Sequence, residues 1–283
     1  MKKMIVLMLM LMISLYAVSG SAVTFMDAHG NTVELDETLS AYADFDMLGG
    51  ANAREGETNL GDFWTDALRW FAASGLLNAS FEEDDVKAGL TLEADEAHIV
   101  ALWNAGNLRE DLASGVFTAE QIAQVLPYPN KVAVVYMTGE QLQRQLEACA
   151  QGLPVSDESM DACAAFMQVS GIEYTVDLTR PYEAGEPYGD HWRKAEKISR
   201  VSVTSVNGQP FEPDAVYAVI TSNANFNGMD VSYVMKEAAE ADERSTITTA
   251  VVRDVIWQYL TDVLSNRIGS EYEKPQGRIQ IVK

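Results

Sequence analysis

The chain has 283 residues, of which 47% are hydrophobic and 22% are charged, so it holds enough apolar material for a substantial core and is not a disordered protein as a whole. Asp and Glu number 42 against 20 Lys and Arg, and the formal net charge is −22, which disfavours general binding to nucleic acid or to an anionic membrane. With 3 histidines and 2 cysteines, a metal centre of several histidines or a cysteine zinc site is hard to assemble.

The first segment has the pattern of a secretory signal peptide. Lys2 and Lys3 precede an apolar run from Met4 to Val18, and small residues follow at 20–22, the spacing of a cleavage site. An uncleaved membrane anchor is the alternative, but the run is shorter than the ~20 apolar residues that a spanning helix needs. We therefore expect residues 1–22 to be removed and the mature protein to be exported to the periplasm or the extracellular space, without a membrane attachment.

Residues 23–47 are predicted to be a short N-terminal extension, since apolar residues alternate from Val23 to Leu35 on both sides of a turn at residues 29–31, as in a β-hairpin. The remaining chain predicts a mixture of helices and strands. Helices are expected at residues 58–74, 119–125, 139–150 and 247–268, and strands at 98–103, 132–137, 172–178, 201–206, 216–221 and 278–282.

Two capping boxes, Thr118 with Gln121 and Thr138 with Gln141, mark the starts of two of these helices. Strands and helices alternate without a regular βαβ repeat, which favours an α+β fold over a doubly wound sheet. No linker or composition change divides residues 48–283, so we expect a single mixed α/β domain there.

Three other segments have recognisable patterns. The Asn207-Gly208 pair predicts a hairpin turn. The segment from Thr179 to Lys197 is interpreted as an exposed insertion, whose basic residues at 191–194 are either a partner contact or part of a flexible surface loop. The acidic run at residues 82–85 is interpreted as a solvated surface.

Cys149 and Cys163 are separated by a loop of small and polar residues. In an oxidising compartment, a bridge can close a loop of that length, so a structural disulfide is predicted. The alternative is a reactive thiol, but no neighbouring His, Lys or Arg is present in the sequence to lower the pKa of either cysteine.

Four segments, taken in order, carry a resemblance to a known family. They are residues 54–62 (REGETNLGD), 104–109 (NAGNLR), 125–128 (VLPY) and 135–142 (VYMTGEQL). Each resembles the matching motif of the C-terminal domain of the 5'-nucleotidase family, and the resemblance covers about residue 48 to the end. Further matches follow at residues 168–172, at Asn207-Gly208 with Tyr217 downstream, and at residues 221–223, 227–230 and 277–279.

In that family, the C-terminal domain holds the nucleoside part of the substrate, and a separate N-terminal metallophosphoesterase domain holds two metal ions and the catalytic groups. This sequence has neither the Asn-His-acid segment nor the Gly-His-x-His segment of such a dimetal site. Asp27 and His29 imitate one Asp-x-His segment, but a lone short motif is usually coincidence. The resemblance therefore implies no cofactor, no metal site and no catalytic residue here, because the family's metals belong to the absent domain.

The resemblance implies a nucleoside or nucleotide site. A guanidinium can form two hydrogen bonds to a phosphate, so the motif arginines would hold an anionic group, and a structural ion pair is their alternative role. Asn104 would bind a base edge or serve as a turn residue, and Asp230 would accept from ribose hydroxyls or cap the next segment. The implied substrate-binding residues are Arg54, Asn104, Arg109, Tyr128, Asn223, Phe226 and Asp230.

The family sandwiches the base between two aromatic rings. Tyr128 occupies the position of the first ring, whereas Ala224 occupies that of the second. Phe226 would replace the lost ring or else belong to the core. Met229 and Val231 stand where the family usually has glycines beside the ligand, so these departures would change how a base is held.

Three functions are open at this point. The first is an exported nucleoside- or nucleotide-binding module that is not catalytic by itself. The second is the substrate-binding half of a split 5'-nucleotidase or phosphoesterase, acting in nucleotide catabolism with a separate metallophosphoesterase chain. The third is a structural or adhesive exported domain that has lost ligand binding.

Overall fold

The computed structural model describes residues 22–26, 30–36, 40–82 and 90–283. The predicted signal peptide up to residue 21, residues 27–29 with Asp27 and His29, and residues 83–85 of the acidic run lie outside the described residues. Within the described residues, no helix has the length and apolar character needed to cross a membrane.

Strands and helices are mixed along the chain, which confirms the α+β prediction. The strands, in chain order, are β1 (Ala22–Met26), β2 (Thr32–Asp36), β3 (Ala41–Ala43), β4 (Ile99–Asn104), β5 (Gly115–Phe117), β6 (Lys131–Thr138), β7 (Met167–Ser170), β8 (Ile172–Asp177), β9 (Ala184–Tyr188), β10 (Trp192–Ala195), β11 (Val201–Val206), β12 (Gln209–Pro210), β13 (Val216–Ser222), β14 (Thr246–Val251), β15 (Arg267–Ile268) and β16 (Ile279–Val282). The α-helices are α1 (Asn52–Glu55), α2 (Asn59–Ala73), α3 (Ala119–Val125), α4 (Gly139–Cys149), α5 (Asn223–Phe226), α6 (Tyr233–Ala241) and α7 (Val252–Asp262).

A five-stranded sheet with the order β14-β6-β13-β4-β7 forms the centre of the fold. Strands β4 and β13 run parallel, with Ala218 opposite Ile99, whereas β6, β7 and β14 are antiparallel to the strands they pair with. Every residue of β4 is buried, and so is every residue of β13 after Val216. Helix α2 packs against β4 and β7, and α4 and α6 pack against β6, which explains why the inner strands are continuous apolar runs.

Two smaller sheets, with the orders β12-β11-β8-β16 and β15-β3-β5, and two hairpins complete the architecture. The hairpin predicted at residues 23–35 is confirmed, since β1 and β2 are antiparallel with Ala22 opposite Asp36. The turn predicted at Asn207 and Gly208 is also confirmed, because both residues have positive φ angles, 49° and 74°, between β11 and β12.

Helix α2 begins where the sequence predicts. The Thr58 side chain accepts a hydrogen bond from the Gly61 amide at 3.1 Å, which satisfies a free donor of the first turn. The apolar face of the helix is buried, and Trp64 packs against Trp103 of β4 with ring centroids 6.0 Å apart. The capping boxes predicted at the starts of α3 and α4 are both formed.

The C-terminal strand is attached to α2 by a partly buried arginine. Arg278 Nη2 donates to Asp66 Oδ2 at 2.8 Å, and Arg278 Nη1 donates to the Val169 carbonyl at 2.9 Å. The backbone amides of Arg278 and Ile279 donate to the Glu57 carboxylate at 3.0 and 2.9 Å. The Gly-Arg-Ile motif therefore has a structural role in this chain.

The helix predicted over residues 247–268 is wrong at both ends. Residues 246–251 form strand β14, α7 covers only Val252–Asp262, and residues 267–268 form strand β15. Residues 246–249 and 251 are all β-branched, and such side chains favour the pleated surface of a sheet when a neighbouring strand is available. Strand β6 offers that neighbour, with Ile247 opposite Ala133.

The disulfide predicted between Cys149 and Cys163 is absent, and both cysteines are free and buried. Gln145 Nε2 donates to Cys149 Sγ at 3.0 Å, and Cys163 Sγ donates to the Gly152 carbonyl at 3.0 Å, so each sulfur has its own partner. Burial raises the pKa of Cys149 to about 12, which keeps this thiol protonated and unreactive.

Residues 40–47 pack with the body of the protein. Strand β3 pairs with β5 and β15, residues 40–43 are buried, and Met47 pairs with Leu112. The sequence alone gives no strand pattern at residues 40–47 and places them in the N-terminal extension. The division at residues 22 and 47 into signal peptide, extension and main domain stays a prediction.

Candidate functional site

Three loops meet at one edge of the central sheet. Because β4 and β13 are parallel, their carboxyl ends lie side by side, and the antiparallel β6 begins at the same edge, with Val132 opposite Ser222. Asn104 ends β4, Asn223 follows β13, and Tyr128 lies just before β6. The carboxyl ends of parallel strands are a common place for ligand crevices.

An open cleft of ≈ 730 Å³ lies at this edge. This volume is within the range of ~300–1,000 Å³ that small-molecule sites usually have. Three of the predicted site residues, Arg109, Tyr128 and Asn223, line it. The other lining residues are Asn107, Pro129, Asn130, Ala224, Asn227, Gly228 and Met229.

Behind the cleft, a side-chain network connects β4 with the loop after α5. Asn104 Nδ2 donates to Asp230 Oδ2 at 2.7 Å, and Asn107 Nδ2 donates to Asn104 Oδ1 at 2.8 Å. Asn104 is only 2% exposed, so its amide is committed to this network rather than free for a base edge. Asn104 therefore positions Asp230 and Asn107.

Burial raises the pKa of Asp230, while the hydrogen bond from Asn104 and the charges of Arg109 and Arg54 act in the opposite direction. Its backbone has a φ of 55°, a left-handed conformation that few side chains adopt without support. Three of the predicted site residues thus act on the carboxyl group of a fourth: Asn104 donates a hydrogen bond to Asp230, and the charges of Arg109 and Arg54 lower its pKa.

The two arginines differ in how they are held. Arg109 lies over the ring of Tyr128, with Cζ 5.4 Å from the ring centroid, and its Nη2 donates to Tyr128 Oη at 3.4 Å. Arg54 Nη1 donates to the Met160 carbonyl at 3.0 Å. Among the described residues, neither guanidinium forms an ion pair, whereas Arg267 and Arg278 do. Neither arginine therefore takes the alternative role of a structural ion pair with a described residue, and only Arg109 lines the cleft.

Tyr128 is the one aromatic residue among the described residues that line the cleft. Its side chain is 47% exposed, while Ala224 and Met229 also line the cleft and Met229 is 55% exposed. Phe226 is partly buried and packs against the hydrophobic core, so the structure places it apart from the cleft residues. Asn223 is at the cleft, but its Oδ1 accepts from the Lys131 amide at 3.0 Å, so it also holds the start of β6.

Several cleft residues were not predicted from the sequence. Asn107, Asn130 and Asn227 line the cleft. Asn107 ends a short 3-10 helix after β4, Asn130 lies directly before β6, and Asn227 lies in the turn after α5. The sequence shows an asparagine at each of these positions. Because Asn is common in turns and loops of every kind, its presence does not distinguish a side chain that binds a ligand from one that forms a turn.

No set of metal ligands is present in the part of the chain that the structure describes. No group of three or more His, Cys, Asp or Glu side chains there could hold a metal ion. The described donors therefore do not fit the dimetal centre of a metallophosphoesterase, which needs several carboxylate, amide and imidazole ligands around each ion.

Comparison with known proteins gives one family. Residues 38–237 match the family model described as 5'-nucleotidase, C-terminal domain. The trifunctional nucleotide phosphoesterase protein YfkN of Bacillus subtilis is 26% identical over 233 residues, which cover 82% of this chain and 13% of that protein. A 2',3'-cyclic-nucleotide 2'-phosphodiesterase/3'-nucleotidase of Haemophilus influenzae is 29% identical over 142 residues, which cover 44% of this chain and 21% of that protein.

Solved structures have the same fold. The crystal structure of a 5'-nucleotidase precursor from Thermus thermophilus matches with a TM-score of 0.60 and 25% identity, over 87% of this chain and 39% of that one. The NAD nucleotidase of Haemophilus influenzae matches with a TM-score of 0.58 and 14% identity, over 92% and 48% of the two chains. The chain thus spans less than half the length of each of these relatives.

Proposed function

Since this chain belongs to the 5'-nucleotidase C-terminal domain family, we propose that the cleft at the sheet edge binds a nucleoside or a nucleotide. The observation that carries the proposal is the pairing of Tyr128 with Arg109 at an open cleft of ≈ 730 Å³. An exposed aromatic face stacks on a base, and a guanidinium without an ion-pair partner binds a phosphate.

The polar groups around the cleft suit the rest of such a ligand. Asn107 Nδ2 and Asn227 Nδ2 each already donate one hydrogen bond within the protein. The remaining donors and acceptors of these two amides, and the amide of Asn130, suit a base edge. Asp230 lies behind the cleft with one carboxylate oxygen bonded to Asn104, and its other oxygen suits a sugar hydroxyl. In a chain with a net charge of −22, Arg109 supplies the local cation that an anionic ligand needs.

With one aromatic ring, base recognition would be less strict than between two rings. Met229 lines the same cleft as Tyr128, and a methionine side chain adapts its shape to different partners. We therefore expect the site to accept more than one base and to bind weakly, with dissociation constants between ~1 µM and ~1 mM, or about −8 to −4 kcal/mol.

The experiment is calorimetry of the full chain with adenosine and with AMP. Replacing Tyr128 with Ala should weaken both ligands by roughly ten- to a hundredfold, since stacking contributes about 1–3 kcal/mol per base. Replacing Arg109 with Ala should weaken AMP more than adenosine, because only AMP has a phosphate. Arg180, which pairs with Asp177 away from the cleft, gives the matched control Arg180→Ala. Absence of binding at millimolar ligand would contradict the proposal and favour a structural or adhesive domain.

A second function is favoured by the names of the curated relatives, which are phosphoesterases much longer than the segment matched. In that case the chain would be the substrate-binding part of a phosphoesterase, and a metallophosphoesterase domain outside the described residues would supply the metal ligands. Metal-dependent release of phosphate from AMP only after such a domain is added would support this function. Activity that is unchanged by omitting this chain would exclude it.

Export is part of the proposal. Residues 1–22 have the order of charged, apolar and small segments that secretory signals have. Mass spectrometry of the protein recovered outside the cytoplasm should give a chain that begins at residue 23. Recovery of the full-length chain with Met1 in the cytoplasm would contradict it.

A further inference from the structure

The segment interpreted from the sequence as an exposed insertion is an ordered hairpin that touches the cleft loops. Strands β9 and β10 are antiparallel, with Trp192 opposite Tyr188. Tyr188 Oη donates to the Gly228 carbonyl at 2.6 Å. Gly228 lines the cleft and is followed by Met229, which lines it too, and by Asp230.

The turn that receives this hydrogen bond is conformationally demanding. Gly228 has a φ of 85° and Asp230 a φ of 55°. Left-handed conformations are unfavourable for residues with a side chain, so the surroundings must hold Asp230 in place. On one side, Asn104 Nδ2 holds the Asp230 carboxylate at 2.7 Å, and on the other, Tyr188 Oη holds the Gly228 carbonyl.

Tyr188 is presented by an element that is itself anchored to the body. The Arg193 amide donates to Gln151 Oε1 at 2.8 Å, and the Ala195 amide donates to Tyr233 Oη at 3.1 Å. Tyr188 also packs against Tyr233, with ring centroids 5.7 Å apart. The hairpin can therefore act as a fixed support for the turn.

The opposite strand of the hairpin contacts the segment behind Arg54. Trp192 Nε1 donates to the Ala162 carbonyl at 3.2 Å. Two residues earlier, the Met160 carbonyl accepts from Arg54 Nη1 at 3.0 Å. One hairpin thus contacts both the turn that carries Asp230 and the segment that accepts a hydrogen bond from Arg54.

We propose that Tyr188 is a positioning residue of the cleft, whose hydroxyl fixes the turn at residues 228–230 so that Met229 faces the ligand and Asp230 meets Asn104. Its link to ligand affinity rests on the proposed function, whereas its effect on the turn does not. Tyr188 touches the turn backbone and is not among the residues that line the cleft.

The test replaces one hydroxyl group at a time. Tyr188→Phe keeps the ring and removes the bond to Gly228. Tyr182→Phe is the matched control, because Tyr182 Oη donates to the Arg193 carbonyl at 2.8 Å, within the same segment and away from the turn. The first readout is amide hydrogen exchange of Met229, whose amide donates to the Ala224 carbonyl at 2.9 Å and is therefore protected.

Exchange at Met229 should become roughly five- to tenfold faster in Tyr188→Phe, the factor expected when one hydrogen bond is lost. Tyr182→Phe should leave it unchanged, and the thermal unfolding midpoints of the two variants should agree. Unchanged exchange in Tyr188→Phe, or equal acceleration in both variants, would overturn the proposal.

The second readout is the affinity for adenosine and AMP in the same proteins. Tyr188→Phe should weaken both ligands by a similar factor, since the turn is displaced for either ligand, and Tyr182→Phe should match the unmodified chain. Unchanged affinity in Tyr188→Phe would overturn the link between the turn and the ligand. If the unmodified chain binds neither ligand, the proposed function fails, while hydrogen exchange still decides whether Tyr188 holds the turn.

Discussion

At the scale of single residues, Asp230 is the group on which the cleft is organised. It is held by Asn104 and lies within the electrostatic reach of Arg109 and Arg54. Burial nevertheless raises its pKa above the ordinary value of 3.8, so desolvation outweighs the favourable contacts. Its carboxylate therefore takes up a proton at a higher pH than the carboxylate of an exposed Asp does.

This shift predicts a pH dependence of nucleoside binding. If the ionised Asp230 accepts from ribose hydroxyls, adenosine affinity should fall as the pH is lowered towards the raised pKa, because protonation removes acceptor capacity. Adenosine is the suitable ligand, since AMP has a phosphate that titrates near pH 6. Calorimetry over a pH series that runs downward from neutral pH measures the effect.

The control for this prediction is Asp230→Asn. The amide cannot ionise, so this variant should bind adenosine more weakly at neutral pH and with a flat pH profile. A wild-type profile that is equally flat would show that Asp230 does not contact the ligand in its ionised form.

At the scale of elements, local signals predicted most of the fold and contacts between elements account for the failures. The threonine caps of α2, α3 and α4 and the Asn207-Gly208 turn are formed by neighbouring residues, which a sequence pattern captures. The predicted helix of residues 247–268 included the β-branched residues of β14, whose pairing with β6, distant in the chain, makes them a strand.

The candidate site shows the same difference between features set by local sequence and features set by contacts between distant segments. The motif residues Arg109, Tyr128 and Asn223 meet at the cleft, because each follows or precedes a strand that ends at one edge. The packing of Phe226 against the core and the bond from Tyr188 to Gly228 depend on contacts between distant segments. Neither could be read from residue types, since an aromatic residue in a loop suits a core as well as a ligand.

The attachment of the C-terminal strand to α2 gives a second prediction. Asp62 is 1% exposed, and its Oδ1 lies 3.4 Å from Arg278 Nη1 without hydrogen-bond geometry. Burial raises the pKa of Asp62 from 3.8 to about 8, with Arg278 opposing and Glu57 adding to the shift. Between about pH 4 and about pH 8, the folded chain keeps Asp62 protonated, whereas the unfolded chain releases this proton. The contribution of Asp62 to the free energy of unfolding therefore declines as the pH rises through this range.

Asp62→Asn should remove that decline. The free energy of unfolding of this variant, measured in urea at pH 5, 7 and 9, should depend less on pH than that of the wild type. The variant should therefore become more stable relative to the wild type as the pH rises. Asp66→Asn is the matched control, because Asp66 Oδ2 accepts from Arg278 Nη2 at 2.8 Å. It should lose about 1–3 kcal/mol at every pH, the usual cost of weakening a buried charged hydrogen bond. Parallel pH curves for the wild type and Asp62→Asn would contradict the expectation.

At the scale of the whole molecule, an acidic chain is proposed to hold an anionic ligand. The formal net charge of −22 repels a nucleotide at long range, while Arg109 attracts its phosphate at short range. Salt screens these two effects unequally, because the Debye length falls from about 30 Å at 0.01 M to about 8 Å at 0.15 M. Charges spread over the surface are then largely screened, whereas a guanidinium in contact with a phosphate is screened less.

Because salt weakens the long-range repulsion more than the short-range attraction, the affinity for AMP relative to adenosine should rise when NaCl is increased from 10 to 150 mM. Adenosine is uncharged and serves as the internal reference, since its affinity should change little over this range. Calorimetry of both ligands at the two salt concentrations gives the ratio directly. In Arg109→Ala the short-range attraction is removed, so AMP should bind no better than adenosine at either concentration. A ratio that falls with salt would mean that local attraction dominates already at low salt and that the acidic surface lies too far from the cleft to affect binding.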